Sequence, residues 1–163
     1  MKRRSTKPVE KWLLAAALDQ KRARKDWSHG GLALLRSGRR FVVVSLPTTL
    51  IGTATNTLSV PAQDAYLTRT LPGTPVIRSR DGREVHALLP PGTLARWDAP
   101  GTECLGADHF LGVPRPDLVG HPGWSTPYWV VPMARPGALG CEPAVARLIA
   151  RGRTRMAQQE GTP

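Results

Sequence analysis

In and around the loop-rich stretch of the second half, Cys104, Asp108, His109, Asp117, His121 and Cys141 carry side chains that bind metals. Thiolate, imidazole and carboxylate are the ligands of tetrahedral zinc, so a Cys/His/Asp centre is conceivable here. The spacings match no closed motif, however, and there is no CxxC pair. Loops rich in Pro and Gly also place polar residues at turns without any metal. The expectation is no metal and no cofactor. Ser125, in Gly123-Trp124-Ser125-Thr126-Pro127, lacks the second glycine and the strand-to-helix elbow that expose a serine nucleophile. No GxGxxG or GxxxxGKS/T run is present, and Gly30-Gly31 reads as a turn between a helix and a strand. His86 falls in an apolar strand, as a structural residue or on its solvent face.

Positive charge offers more. Residues 1–40 hold twelve Lys and Arg against Glu10, Asp19 and Asp26, while residues 41–140 are balanced, and the whole chain carries +11. Such an excess favours polyanions: nucleic acid, with DNA ahead of RNA, or an acidic protein surface. Four groups carry it. Lys2, Arg3, Arg4 and Lys7 form a basic arm. Lys21, Arg22, Arg24 and Lys25 sit near a helix C-terminus, where the helix dipole also favours cations. Arg36, Arg39 and Arg40 flank a β-turn. Arg147, Arg151 and Arg155 recur every four residues and make one stripe on a last helix, with Arg153 off it. Binding through these groups is expected to be salt-sensitive and largely indifferent to base sequence. Among the aromatics, Trp12 and Trp129 read as core. Trp124 and Tyr128 are candidates for stacking on bases or for a protein interface, and Trp124 could equally seal its loop.

These groups must be held by local elements. Residues 1–7 read as a flexible arm and Pro8 to about Lys25 as one helix, since Val9, Trp12, Leu13, Ala16 and Ala17 recur at three and four residues. Leu32–Leu35 and Phe41–Leu46 read as a strand pair about the 36–40 turn, with Pro47 closing it. Thr48–Thr57 carries no clear signal. Pro61–Leu71 reads as a helix, Thr74–Ser79 and Glu84–Leu89 as a hairpin about Asp81-Gly82, and Thr93–Trp97 as a short helix. Residues 98–127 are loop-rich with one short strand near Phe110–Val113. Tyr128–Val131 is a strand, Glu142 to about Met156 a helix, and 157–163 a flexible tail. The order gives a single α+β domain over 8–156, its sheet mainly antiparallel or mixed and flanked by N- and C-terminal helices.

Length and composition agree with that. The 163 residues suit one domain, 40% hydrophobic residues can form a core, and sixteen Pro with sixteen Gly disfavour long helices outside the ends. No apolar run approaches the roughly 20 residues of a membrane span, so no membrane partner is expected. Met1-Lys2-Arg3-Arg4 precedes too short an apolar run for a secretion signal, and two cysteines make no disulfide framework. A cytoplasmic protein is the expectation.

Four segments give the chain a resemblance. They are Gly31–Arg40 running into Phe41-Val42-Val43-Val44, then Gly73-Thr74-Pro75-Val76, then Ala87–Thr93 with Trp97, and finally Tyr128-Trp129-Val130-Val131-Pro132. In order and spacing they resemble the short actinobacterial relatives of the bifunctional DNA primase/polymerase N-terminal domain, within the archaeo-eukaryotic primase group. The resemblance implies a primase-polymerase-like fold and two metal-binding acids, one position apart, at the end of the strand after the first turn. The matching positions are Ser45 and Pro47, and no acid lies between residues 27 and 63. Nucleotidyl transfer needs carboxylate oxygens to hold its divalent metals, which neither residue supplies. The expectation is therefore a pseudoenzyme: a non-catalytic accessory protein that binds nucleic acid through its basic surface. The alternatives are a protein-interaction or structural subunit of a larger assembly docking an acidic partner, and a nucleotidyltransferase with relocated metal ligands.

Overall fold

In a computed structural model, residues 5–107, 109–120 and 126–161 are described. The centre is a five-stranded antiparallel sheet in the order β5-β2-β4-β3-β7, built from Val42–Pro47 (β2), Val76–Arg78 (β3), Glu84–Leu89 (β4), Glu103–Leu105 (β5) and Tyr128–Val131 (β7). Strand residues alternate between faces, and here both faces are covered. Val42, Val44 and Leu46 of β2, with Val85, Ala87 and Leu89 of β4, pack against Thr48–Thr55 (α3), Val60–Thr70 (α4) and Glu142–Glu160 (α6). On the other face Val43, Leu88, Ile77 and Trp129 meet Lys7–Leu14 (α1), Gln20–Ser28 (α2) and a two-stranded ribbon of Ala33–Arg36 (β1) and Phe110–Val113 (β6). Coverage on both sides explains why β2 is buried along nearly its whole length. The short helix Thr93–Arg96 (α5) lies between β4 and β5. The chain is thus a mixed α+β single domain with N- and C-terminal helices flanking a central sheet.

Three local readings are corrected. The expected helix over 8–25 is two helices. Ala15–Leu18 are helix formers, yet Asp19 is extended and its carboxylate accepts from the Arg22 amide at 3.0 Å, capping a new helix. Lys7 belongs to α1, not to an arm. Second, β1 and β2 do not pair. β1 pairs with β6, Ala33 opposite Val113 and Arg36 opposite Phe110, while β2 lies between β4 and β5. Third, α3 forms where no signal was read, ending at Asn56 in the left-handed region, and α6 runs on to Glu160, taking residues expected in a flexible tail. The Asp81-Gly82 hairpin, the helix near Pro61 (capped by Ser59) and the short strand at 110–113 are present.

Buried polar groups fix how the layers meet. The Trp27 indole donates to the Val113 carbonyl at 2.8 Å and the Trp129 indole to Pro114 at 3.0 Å, tying α2 and β7 to the end of the ribbon. Behind the sheet, Arg78 is 4% exposed and pairs with Asp64 of α4 at 2.7 Å. Asp64 also accepts from the Tyr128 hydroxyl, and Arg78 reaches Gln63 at 3.4 Å. A buried cation is tolerated only with such partners. At Gly152, an added Cβ would lie 2.6 Å from Leu50 Cδ1, so glycine lets α6 approach α3.

Candidate nucleic-acid interface

The α1–α2 corner and the β1–β2 turn form one structure. The Arg36 amide donates to Ala16 O at 2.8 Å, and the Ser37 amide donates to His109 O at 2.9 Å. Ser37 is buried, its hydroxyl donating to Gly106 O. Gly38 closes the turn at φ +120°, where an added Cβ would lie 2.9 Å from the Ala107 backbone. Between corner and turn lies a cleft of about 430 Å³ lined by Ala15, Ala16, Ala17, Leu18, Arg36, Ser37, Arg39 and Arg40. Among the described residues, no carboxylate lines it. Arg40 is anchored: its guanidinium carbon sits 5.5 Å above the Trp12 ring, which is tilted against buried Phe41 at 6.4 Å. Trp12 is therefore half-buried and supports a cation, a role that a purely core reading missed.

The neighbouring surface of α2 is more mixed. Lys21, Arg22 and Lys25 line a depression of about 440 Å³ together with Asp19, Asp26 and His29, so carboxylates offset much of its charge. Arg24 is exposed but lines neither hollow, and Lys7 is exposed on α1. Arg147 and Arg151 are exposed and Arg155 half-buried on α6, which packs on the opposite face of the sheet from α2. Arg153 donates to Pro100 O at 3.0 Å. The basic groups thus do not share one surface. The structure brings together Arg36, Arg39 and Arg40, with the α2 cations beside them.

Other predicted site residues are placed as follows. Tyr128 is corrected: it is 2% exposed, its hydroxyl is spent on Asp64, and it has no face to offer a base. Burial and that carboxylate raise its pKa well beyond the usual phenol range. Lys2, Arg3, Arg4, Trp124, Asp108, His121 and Ser125 lie outside the described residues. Cys104 is half-buried in β5 and its thiol is pushed up by burial and then by Glu142, whereas Cys141 and His109 are exposed. Among the described residues, no three His, Cys, Asp or Glu side chains gather as a metal site would require.

Ser45 and Pro47 occupy the end of β2 as the strand reading requires. Ser45 stands opposite His86 on β4 and Glu103 on β5, and its hydroxyl is 2.8 Å from His86 Nδ1. Burial holds the His86 imidazole below its ordinary pKa, against the opposing pull of Glu84 and Asp81. This pair escaped the sequence because only the strand register, which no local signal reports, sets the two side by side. The Arg78–Asp64–Tyr128 network escaped for the same reason.

No family model, no curated protein and no solved structure matches the chain. Among the described residues, no helix is long and apolar enough to cross a membrane.

Proposed function

We propose that the chain is a non-catalytic nucleic-acid-binding module, an accessory protein whose fold is primase-polymerase-like and whose catalytic acids have been replaced. The observation that carries the binding role is the cleft lined by Arg36, Arg39 and Arg40 against the Ala15–Leu18 turn. Guanidinium groups match phosphate oxygens in shape and charge, and a fixed cluster of them loses less freedom on binding than scattered chains do. The non-catalytic part rests on the resemblance. In its register the positions for metal-holding acids carry Ser45 and Pro47, and the Ser45 hydroxyl is engaged by His86. The module binds DNA backbones with little regard to base order, through phosphates.

The test is binding of labelled DNA by fluorescence anisotropy at two salt concentrations, with the parent chain and an Arg36→Ala/Arg39→Ala/Arg40→Ala variant. Affinity that falls with salt and falls again in the variant supports the reading. Unchanged affinity in the variant removes the cleft as the interface. Template-directed nucleotide incorporation with Mg²⁺ or Mn²⁺ would revive a nucleotidyltransferase instead.

A further inference from the structure

The last helix carries a charge pattern that the fold does not explain. Between Glu142 and Glu160, α6 holds Arg147, Arg151, Arg153 and Arg155 and no carboxylate. Arg153 has a structural role: it donates to Pro100 O at 3.0 Å and ties the helix to the loop before β5. The other three form no ion pair among the described residues. The helix dipole does not call for them either, because the last turn of α6, where cations are favoured, holds no basic residue. Their spacing is unfavourable in the chain alone, since like charges four residues apart on a helix repel each other.

Packing fixes which way they face. Val145, Leu148, Ile149 and Gly152 are buried, so Arg147 and Arg151 stand exposed on the outer side of α6, with Arg155 half-buried one turn further on. From Arg147 to Arg155 is about 12 Å along the helix axis. A ligand that relieves the repulsion along such a stripe must carry repeated negative charge. A nucleic-acid backbone does, and cations alone suffice to bind it. A protein partner also needs apolar or aromatic anchors, and among the described residues the exposed large apolar side chains all lie outside α6.

The stripe lies away from the arginine cleft. α6 packs with α3 and α4 on one face of the sheet, while Ala16, Ala17 and Phe41 beside the cleft belong to the other. Two helical layers, each about 10 Å across, and the sheet between them separate the two basic surfaces. A straight segment laid on α6 therefore does not reach the cleft.

We infer that Arg147, Arg151 and Arg155 form a second phosphate-binding surface, and that one copy of the chain bridges two nucleic-acid segments, one on α6 and one at the cleft. The α6 surface stands on its own residues, whereas the bridging rests on the arginine cleft being a nucleic-acid interface.

The test presents two duplexes of unrelated sequence, one biotinylated and held on beads, the other fluorescent and in solution. The parent chain is expected to carry the fluorescent duplex onto the beads at low salt and to release it as salt rises. Excess protein should also abolish recovery, because each duplex then fills with its own copies. Arg147→Gln/Arg151→Gln is expected to lose bead recovery while still binding one duplex in fluorescence anisotropy. Its melting temperature should not fall, since a like-charge pair has been removed. Light scattering without DNA is expected to give a monomer for both chains. A parent that recovers no fluorescent duplex overturns the inference, and so does a variant that bridges like the parent. A dimeric parent with a monomeric variant also overturns it, because two copies would then supply the two contacts. If the Arg36→Ala/Arg39→Ala/Arg40→Ala variant loses single-duplex binding and the α6 variant behaves as the parent in both assays, the cleft reading stands and the α6 surface is wrong. If the cleft variant binds and bridges like the parent, the cleft reading has failed and the bridging with it.

Discussion

The amide of Arg36 donates to the carbonyl of Ala16 at 2.8 Å, joining the ribbon to the corner between the first two helices. The two walls of the arginine cleft are consequently one unit, and Arg36 starts its reach from a fixed backbone. The bond exists because α1 ends at Leu14: a continuous helix would direct the Ala16 carbonyl along its own axis. Asp19, the cap that restarts the helix, is thus also what makes the cleft. Asp19→Ala should cost about 1 kcal/mol of stability, read as a lower midpoint in urea unfolding, and weaken DNA binding. Asp19→Ser, which can cap, should preserve both.

Arg78 and Asp64 hold α4 to the sheet. Asp64→Leu leaves the Arg78 guanidinium buried without its charge partner and should destabilise the chain by about 3 kcal/mol. Tyr128→Phe removes one hydrogen bond to that carboxylate and should cost about 1 kcal/mol. Urea unfolding followed by tryptophan fluorescence separates the two, and the order Asp64→Leu worse than Tyr128→Phe is the expected outcome.

Gly152 lies against Leu50 where α6 crosses α3. Alanine improves helix propensity by up to about 1 kcal/mol, but its methyl would sit 2.6 Å from Leu50 Cδ1 and 3.1 Å from Leu50 O. Overpacking of this kind costs about 1–3 kcal/mol. Gly152→Ala should therefore lower the melting temperature despite the better helix former, and Gly152→Leu should lower it further.

His86 makes stability depend on pH. Its folded pKa lies below 6.5, chiefly because of burial, so the unfolded chain takes up the proton first as pH falls. Where the unfolded state binds more protons, stability rises with pH. The His86 contribution is fully present above about pH 6.5 and is lost as pH falls from there through the folded pKa. His86→Gln should flatten this part of the melting temperature profile between pH 8 and pH 5.

The parts of the fold that sequence reading recovered are those with local causes. Asp81-Gly82 sets a hairpin, Pro61 stands in the first turn of a helix, and Pro143 does the same for α6. What escaped depends on partners distant along the chain. Alternation along Ala33–Arg36 marks a strand but cannot say that β6, not β2, will pair with it. The Ser45–His86 contact left no trace in either segment, because only the register of β2 against β4 sets the two side by side. Of the candidate site, the arginines of the turn were legible as charge, whereas their place against the Ala15–Leu18 turn is a consequence of the break between α1 and α2.

The central claim is that Arg36, Arg39 and Arg40 bind phosphates. The measurement that tests it most directly is the slope of log K against log salt concentration for oligothymidine binding, compared between the parent chain and the Arg36→Ala/Arg39→Ala/Arg40→Ala variant. Each phosphate contact on a single strand contributes about 0.7 to the slope, so loss of three should reduce its magnitude by about 2. A variant with the parent's affinity and the parent's slope would contradict the account.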